Sequence, residues 1–249
     1  MEHDRAMRYA VISDIHGNIE ALQAVIADIA HRSVDRIVCL GDIVGYYPDP
    51  ESCIDLVRAE SDLCIAGNHD FAAIGLIDTA NFTYFAFAAM EWTKSALSSG
   101  AKKFLASLPL TAEKNGIFFA HASPASPEQW GYIFPDSEGA IFEAFTAIAS
   151  PLNFIGHTHW PSIMIQSGDR ISLHPEHAIR LRPESCYLIN AGSVGQPRDF
   201  DSRSCYALYD TESQTVSIIR VTYDFTITQR KIRDNHLPIF LAERLEKGR

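Results

Sequence analysis

Aspartate, histidine and asparagine recur along this chain in five short clusters, and those side chains together form a ligand set for divalent cations. The clusters read Ser13-Asp14-Ile15-His16-Gly17-Asn18, Gly41-Asp42, Gly67-Asn68-His69-Asp70, His121-Ala122-Ser123 and Gly156-His157-Thr158-His159. Asp14 and His16 stand two apart, so on a loop leaving a strand both can point to one side and share a cation. Asp42, with two carboxylate oxygens, can bridge two cations, which a single-donor ligand cannot do. Imidazole, carboxylate and amide without thiolate favour Mn, Fe, Zn, Ni or Co over Ca or Mg.

Positioning these clusters is the work of the segments before them. Each cluster directly follows a short apolar run, at 9–12, 36–40, 63–66, 117–120 and 153–155, rich in branched or aromatic residues. Such runs have the profile of strands buried on both faces. Helical patterns lie between them, and in open α/β sheets ligands bind beyond the carboxyl ends of the strands, so all five clusters are expected on one rim of one sheet. Ile19, Leu22, Val25, Ile26 and Ile29 mark a helix with Asn18 near its N-cap, and Asp49-Pro50 opens a second with Cys53, Ile54 and Val57 on one face.

Residues 71–108, rich in Ala and aromatics, predict two or three helices inserted against or over the rim. A further helix is predicted over 136–150. Beyond Gly156 the pattern becomes strand after strand. A hairpin pairs 163–166 with 170–173, and a meander follows through 186–190, 206–209, 216–221 and 225–228. A last helix covers 237–246. The expected fold class is α/β, with two mixed β-sheets packed as a sandwich and flanked by helices, all within one domain spanning 1–249.

A chain of 249 residues with 47% hydrophobic residues has ample material for a packed core. The N-terminal eight residues have mixed charge, and the apolar run after them stops at Ser13, short of a signal or membrane segment, so a soluble cytoplasmic protein is expected. The five cysteines form no C-x-x-C pair, and Cys39, Cys64 and Cys205 lie in apolar runs, which predicts reduced structural thiols. A net charge of −10 and a pI of 5.4 argue against long nucleic acid, whose binders carry a basic patch. The phosphate of a small substrate must then be attracted locally.

The order and residue types of the five clusters resemble the calcineurin-like metallophosphoesterase superfamily, in its small bacterial branch, from about Tyr9 to Asn190-Ala191-Gly192-Ser193. The resemblance implies the four-layer α/β/β/α sandwich and a binuclear centre with Asp14, His16 and His159 on one metal, Asn68, His121 and His157 on the other, and Asp42 bridging. It implies that His69 protonates the leaving group while Asp70 orients the His69 ring. On these assignments two divalent cations against two carboxylates leave roughly two positive charges, which hold a phosphate anion and lower the pKa of a bridging water. In-line attack by metal-bound hydroxide, without a phosphoenzyme, is the expected chemistry. His3, His31, His174, His177 and His236 read as surface or satisfied core histidines.

Specificity must lie between the clusters. Protein Ser/Thr phosphatases and symmetric diadenosine-tetraphosphate hydrolases of this superfamily carry an Arg shortly after the Gly-Asp cluster, and Gly41-Asp42-Ile43-Val44-Gly45-Tyr46-Tyr47 has none. The 45–50 run, the aromatic helices and the 192–198 segment resemble instead a bacterial branch of small metallophosphoesterases, some of which split dinucleoside polyphosphates asymmetrically, and this resemblance implies a phosphodiester or nucleotide pyrophosphate substrate, such as a dinucleoside polyphosphate. The alternatives are a phosphomonoesterase, a nuclease, or a non-catalytic metal-dependent binding module such as the retromer subunit of this fold. Asn18, Tyr46, Tyr47 and Arg198 are the candidate substrate contacts. Backbone amides of 190–198 can take phosphate or simply form a turn. Phe82, Tyr84, Phe85 and Trp92 can stack on a base or pack between helices, and Trp130 and Tyr132 are rim candidates as well.

Overall fold

The computed structural model describes residues 6–249, so residues 1–5, with His3 and all the N-terminal charges considered above but Arg8, lie outside the described residues. In chain order the elements begin with β1 (Arg8–Ile12), α1 (Ile19–Ala30), β2 (Arg36–Cys39), α2 (Pro50–Glu60) and β3 (Leu63–Cys64). Helices α3 (Asn68–Ala73), α4 (Tyr84–Ala96) and α5 (Ser99–Ser107) follow, then β4 (Thr111–Lys114), β5 (Ile117–Ala120), α6 (Glu138–Ala147) and β6 (Leu152–Ile155). The chain continues through β7 (Ser162–Ser167), β8 (Arg170–Leu173), β9 (Ala178–Arg180), β10 (Ser185–Asn190), β11 (Ser204–Asp210) and β12 (Thr215–Val221), and closes with α7 (Phe225–Asp234) and α8 (Ile239–Lys247).

The strands form two mixed six-stranded sheets, ordered β3-β2-β1-β11-β12-β9 and β4-β5-β6-β10-β7-β8. Alternation along each strand explains why both faces are apolar. Tyr9 and Val11 of β1, Phe119 of β5, Phe154 of β6 and Ile189 of β10 meet in the core between the sheets. Their neighbours Ala10 and Ile12 face α1 and α2, while Ala120, Ile155 and Leu188 face α6. Period-two side chains thus join two sheets and an outer helical layer on each side into four layers.

Three expectations need correction. The clusters do not share one sheet: β1, β2 and β3 are parallel neighbours in the first sheet, whereas β5 and β6 run parallel in the second. The clusters meet because the carboxyl ends of both parallel sets open on the same edge of the sandwich. Residues 225–228 are the first turn of α7 rather than a strand; Asp224 caps it by accepting from the Thr226 amide, and Thr228 and Ile232, four apart, bury one face. Finally, β3 is only two residues long. Ile65 and Ala66 leave the ladder, although the Ile65 amide still donates to the Cys39 carbonyl at 3.0 Å.

Helices α3, α4 and α5 occupy the 71–108 region, with Met90, Leu97, Ala101 and Leu105 packed on the α1/α2 side. Edge strands β4 and β9 escaped sequence reading because four and three residues, none fully buried, are too short to show an apolar alternation. The five cysteines are all free thiols. No described helix is long and apolar enough to cross a membrane.

Candidate metal centre

The loops leaving β1 and β2 are zipped together before any side chain is considered. The amides of Ile15 and His16 both donate to the Asp42 carbonyl at 2.9 Å, and the Gly17 amide donates to the Ile43 carbonyl at 2.8 Å. Gly41, at φ 93°, sits where a Cβ would lie 2.2 Å from the Gly67 nitrogen, so only glycine lets the β2 and β3 loops touch. Asp14, His16, Asp42, His157 and His159 all hold left-handed φ values of 52–67°, a region that non-glycine residues seldom enter. Strain at five positions that carry the candidate chemistry is the mark of a backbone bent to serve a site.

Each carboxylate divides its two oxygens. Asp14 Oδ2 accepts from the His157 amide at 3.0 Å, leaving Oδ1 buried without a hydrogen-bond partner and 3.1 Å from His159 Nε2. Asp42 Oδ1 accepts from the His69 amide at 2.8 Å, and its Oδ2 lies 3.3 Å from His121 Nε2 and 3.6 Å from His16 Nε2. One oxygen of each ties a neighbouring loop in place; the other faces the histidines.

The imidazoles are oriented from behind. The Nδ1 atoms of His16, His121 and His159 approach the carbonyls of Val44, Leu40 and Gln196 at 3.1, 2.9 and 2.6 Å, which assigns their protons to Nδ1 and their lone pairs to Nε2. His16 Nε2 then faces His159 Nε2 at 3.1 Å, and His121 Nε2 faces His157 Nδ1 at 3.2 Å. Inward lone pairs at that spacing repel unless a proton or a cation lies between them. Asn68 Oδ1, His69 Nδ1 and His157 Nε2 are likewise buried without a partner. Orphaned buried acceptors are costly, and a cation is the species that satisfies several at once.

Three groups have ligand atoms close enough to hold an ion: Asp14, His16 and His159; His16, Asp42 and His69; and Asp42, His121 and His157. All seven of these side chains are buried. His16 and Asp42 link the groups into one continuous centre. His69, expected to stand apart from the ligands, falls within ligand distance of His16 and Asp42. With nitrogen and oxygen donors, orphaned atoms and fixed tautomers, the residues fit a divalent metal site.

Charge in the metal-free centre follows from burial and pairing. Burial opposes charge on Asp14 and Asp42, but His159 and His121 hold Asp14, and His121 and His69 hold Asp42, well below the usual carboxylate range. Burial also disfavours an imidazolium at His121, yet Asp42 and Asp14 outweigh it and push His121 up to about 9. Burial holds His69 down to about 4, and burial together with the charge of His121 holds His157 down to about 3. Near neutrality the centre therefore carries two carboxylates and one proton, on His121.

Asp70 does not orient His69. Its Oδ1 accepts from the amides of Ile43 and Val44 at 2.9 and 3.2 Å, and its Oδ2 from the Gly67 amide at 3.0 Å, so it clamps the β2 loop to the start of α3. Burial and Asp42 push its pKa up to about 7 despite these donors. Asn18 is also removed from the substrate list. It is fully buried, with Oδ1 accepting from the Ala21 amide and Thr228 Oγ1 and Nδ2 donating to the Gly195 carbonyl and Tyr223 hydroxyl. Tyr47, fully buried with its hydroxyl accepting from Gln196 Nε2, is equally committed, and burial pushes that phenol up to about 12. The amides of 190–198 serve the framework too: Val194 and Gly195 donate to the Ser13 and Asp14 carbonyls, and Gly192 and Gln196 to side chains of their own loop.

Tyr46 and Arg198 do border the centre. The Tyr46 ring lies 4.8 Å from the rings of both His16 and His69, and Arg198 donates to Gln196 Oε1 at 2.8 Å. Phe82 packs 4.8 Å from His69, whereas Phe85 stacks on Phe240 and Tyr84 stands in solvent. Tyr132, half exposed, stacks on His157 at 4.0 Å. Trp130 lies 6.0 Å from His121. Gln196 and Arg244 were missed by sequence reading; Gln196 sat inside a recognised loop, and Arg244 comes from a helix with no local signal of function.

The fold and the ligand-lined rim define a metal-binding α/β sandwich of the phosphoesterase type. The chain belongs to the calcineurin-like phosphoesterase superfamily, whose domain it matches over residues 7–214. It is 42% identical over 244 residues to an uncharacterised protein of Methanocaldococcus jannaschii, covering 96% of this chain and 98% of that one. It is similar to the crystal structure of a metallophosphoesterase from Sphaerobacter thermophilus, with TM-score 0.85, 37% identity and coverage of 98% and 100% of the two chains. A hypothetical protein from Pyrococcus horikoshii shares the fold at TM-score 0.77 and 22% identity, over 98% and 99% of the two chains.

Proposed function

We propose that this protein is a hydrolase of phosphodiesters or nucleotide pyrophosphates, using two divalent transition-metal ions. The observation that carries the reading is Asp42 Oδ2, which stands between His121 on one side and His16 on the other and so joins two ligand groups. Asp14, His16 and His159 suit one ion, Asn68, His121 and His157 a second, and Asp42 both. Bound there, such ions neutralise phosphate charge and activate water for in-line attack.

The chain's own residues supply the rest. Arg198, beside the centre, is placed to hold a phosphate oxygen with the nitrogens that Gln196 leaves free. Tyr132 and Phe82 narrow the approach and exclude water. His69 can pass a proton to the leaving oxygen, and an anionic substrate favours the protonated ring that burial alone disfavours. The acidic surface suits a small phosphoester rather than a long nucleic acid, and five free thiols suit a cytoplasmic setting.

The test is stripped protein reconstituted separately with Mn, Fe, Ni, Co or Zn and offered bis-aryl phosphate, aryl monophosphate, cyclic nucleotides and dinucleoside polyphosphates, with products identified. Diester or pyrophosphate cleavage that vanishes in Asp42→Asn is expected. Turnover confined to the monoester, or none with any metal, overturns the proposal.

A further inference from the structure

Five arginines, Arg8, Arg32, Arg36, Arg203 and Arg220, pair with acidic side chains. Arg198 and Arg244, among the described residues, do not. Both converge on one ring: their guanidinium carbons lie 5.8 and 5.9 Å from the centroid of Tyr46. Arg198 reaches it from the loop after β10, with Nη2 3.4 Å from the Tyr46 hydroxyl. Arg244 comes from α8, its guanidinium carbon 5.7 Å from the centroid of the Phe240 ring as well and its Nε donating to the main-chain oxygen of Arg249, while its two Nη groups hold no hydrogen bond among the described residues.

Two half-buried like charges beside one ring repel each other, and among the described residues neither is paired with an acidic side chain. Burial, with Arg198 close by, lowers the basicity of Arg244. The same Tyr46 ring meets His16 and His69 at 4.8 Å, so the arginine pair and the metal centre adjoin one side chain.

We propose that Arg198 and Arg244 form a subsite for the second phosphate of a substrate containing a phosphoanhydride, with Tyr46 as the wall shared with the metal centre. This rests on reading that centre as the place where the first phosphate is held. Guanidinium forks match phosphate oxygens in pairs, which an ammonium cannot do. The grip that is missing from the loop after Asp42 is thus supplied from the C-terminal helix. A diester with one phosphorus engages Arg198 at most, and a nucleotide pyrophosphate engages both.

The experiment is calorimetric titration of Mn-loaded protein with AMP and with the methylene-bridged analogue of ADP, free Mn being equal in cell and syringe. Wild type is expected to prefer the two-phosphate ligand. Arg244→Gln should lower that preference roughly tenfold or more, the range for one charge-assisted pair, and Arg244→Lys should restore part of it. Arg58→Ala, which removes a guanidinium lying over Phe104, should keep the wild-type preference. A preference within twofold of wild type in Arg244→Gln overturns the subsite and leaves the metal centre standing. Failure of wild type to bind either nucleotide overturns both. Melting curves identify an unfolded variant, in which case the lysine substitution decides: full wild-type preference in Arg244→Lys overturns the bidentate grip.

Discussion

His121 concentrates the electrostatics of the centre in one group. Its pKa is about 9 in the metal-free protein and near 6.5 when unfolded, so its proton stabilises the fold fully below pH 6.5 and that stability is lost as pH rises through 9. The window is cleanest between pH 8 and 9: Asp70, raised to about 7, and the unfolded-state histidines near 6.5 have lost their protons by then, and folded His69 and His157, held low, are neutral. Metal-free protein in EDTA should therefore melt at progressively lower temperature from pH 8 to 9, and His121→Gln should flatten that part of the dependence. A flat wild-type profile would show that His121 carries no proton. The reverse slope is expected for metal affinity, because a cation must displace that proton and binds more tightly as pH rises towards 9.

At the scale of elements, the site depends on loops that touch. A Cβ on Gly156, after β6, would lie 2.0 Å from Ser13 Oγ and 2.6 Å from Asp14 Oδ2, and Asp14 cannot retreat without releasing the His157 amide. Gly156→Ala is expected to cost about 1–3 kcal/mol as an overpacked contact and to weaken metal binding. Gly139, in α6, has nothing within 4 Å, and its replacement by Ala should stabilise by about 0.5–1 kcal/mol. Urea unfolding of the two variants, with metal titrations, separates the cases; equal effects would remove the argument from loop contact.

Much of this was legible in the chain. The parallel strands, α1 with its Asn18 cap, α2 opening at Pro50 and the β7–β8 hairpin all follow from apolar spacing and punctuation. What escaped has physical reasons. Phe225-Thr226-Ile227-Thr228 has strand-like composition, but an Asp cap and tertiary contacts override local propensity. Asp70 follows His69 in sequence, yet the Gly67 amide at the helix N-cap and two amides from the distant β2 loop claim its oxygens. That two sheets rather than one form the rim depends on β10 pairing in parallel with β6, a contact between distant segments.

At the scale of the whole molecule, the core between the sheets is built from Tyr9, Phe119, Phe154, Tyr187 and their neighbours, apart from the ligand cluster. Folding is expected not to await a metal, unlike that of small domains whose only core is their ion. The division of each carboxylate, one oxygen on a neighbouring loop's amide and one facing inward, extends this to the centre itself: the loops are cross-tied by protein alone. The consequence is a socket, emptied and refilled without being rebuilt. Chelated protein should keep its circular dichroism and melt lower by about 5–10 °C, the scale for a ligand at a hundredfold excess over its dissociation constant in a chain of this size. Readdition of any fitting cation should restore the melt within mixing time, so the ion carried in a cell is set by supply rather than by an assembly step.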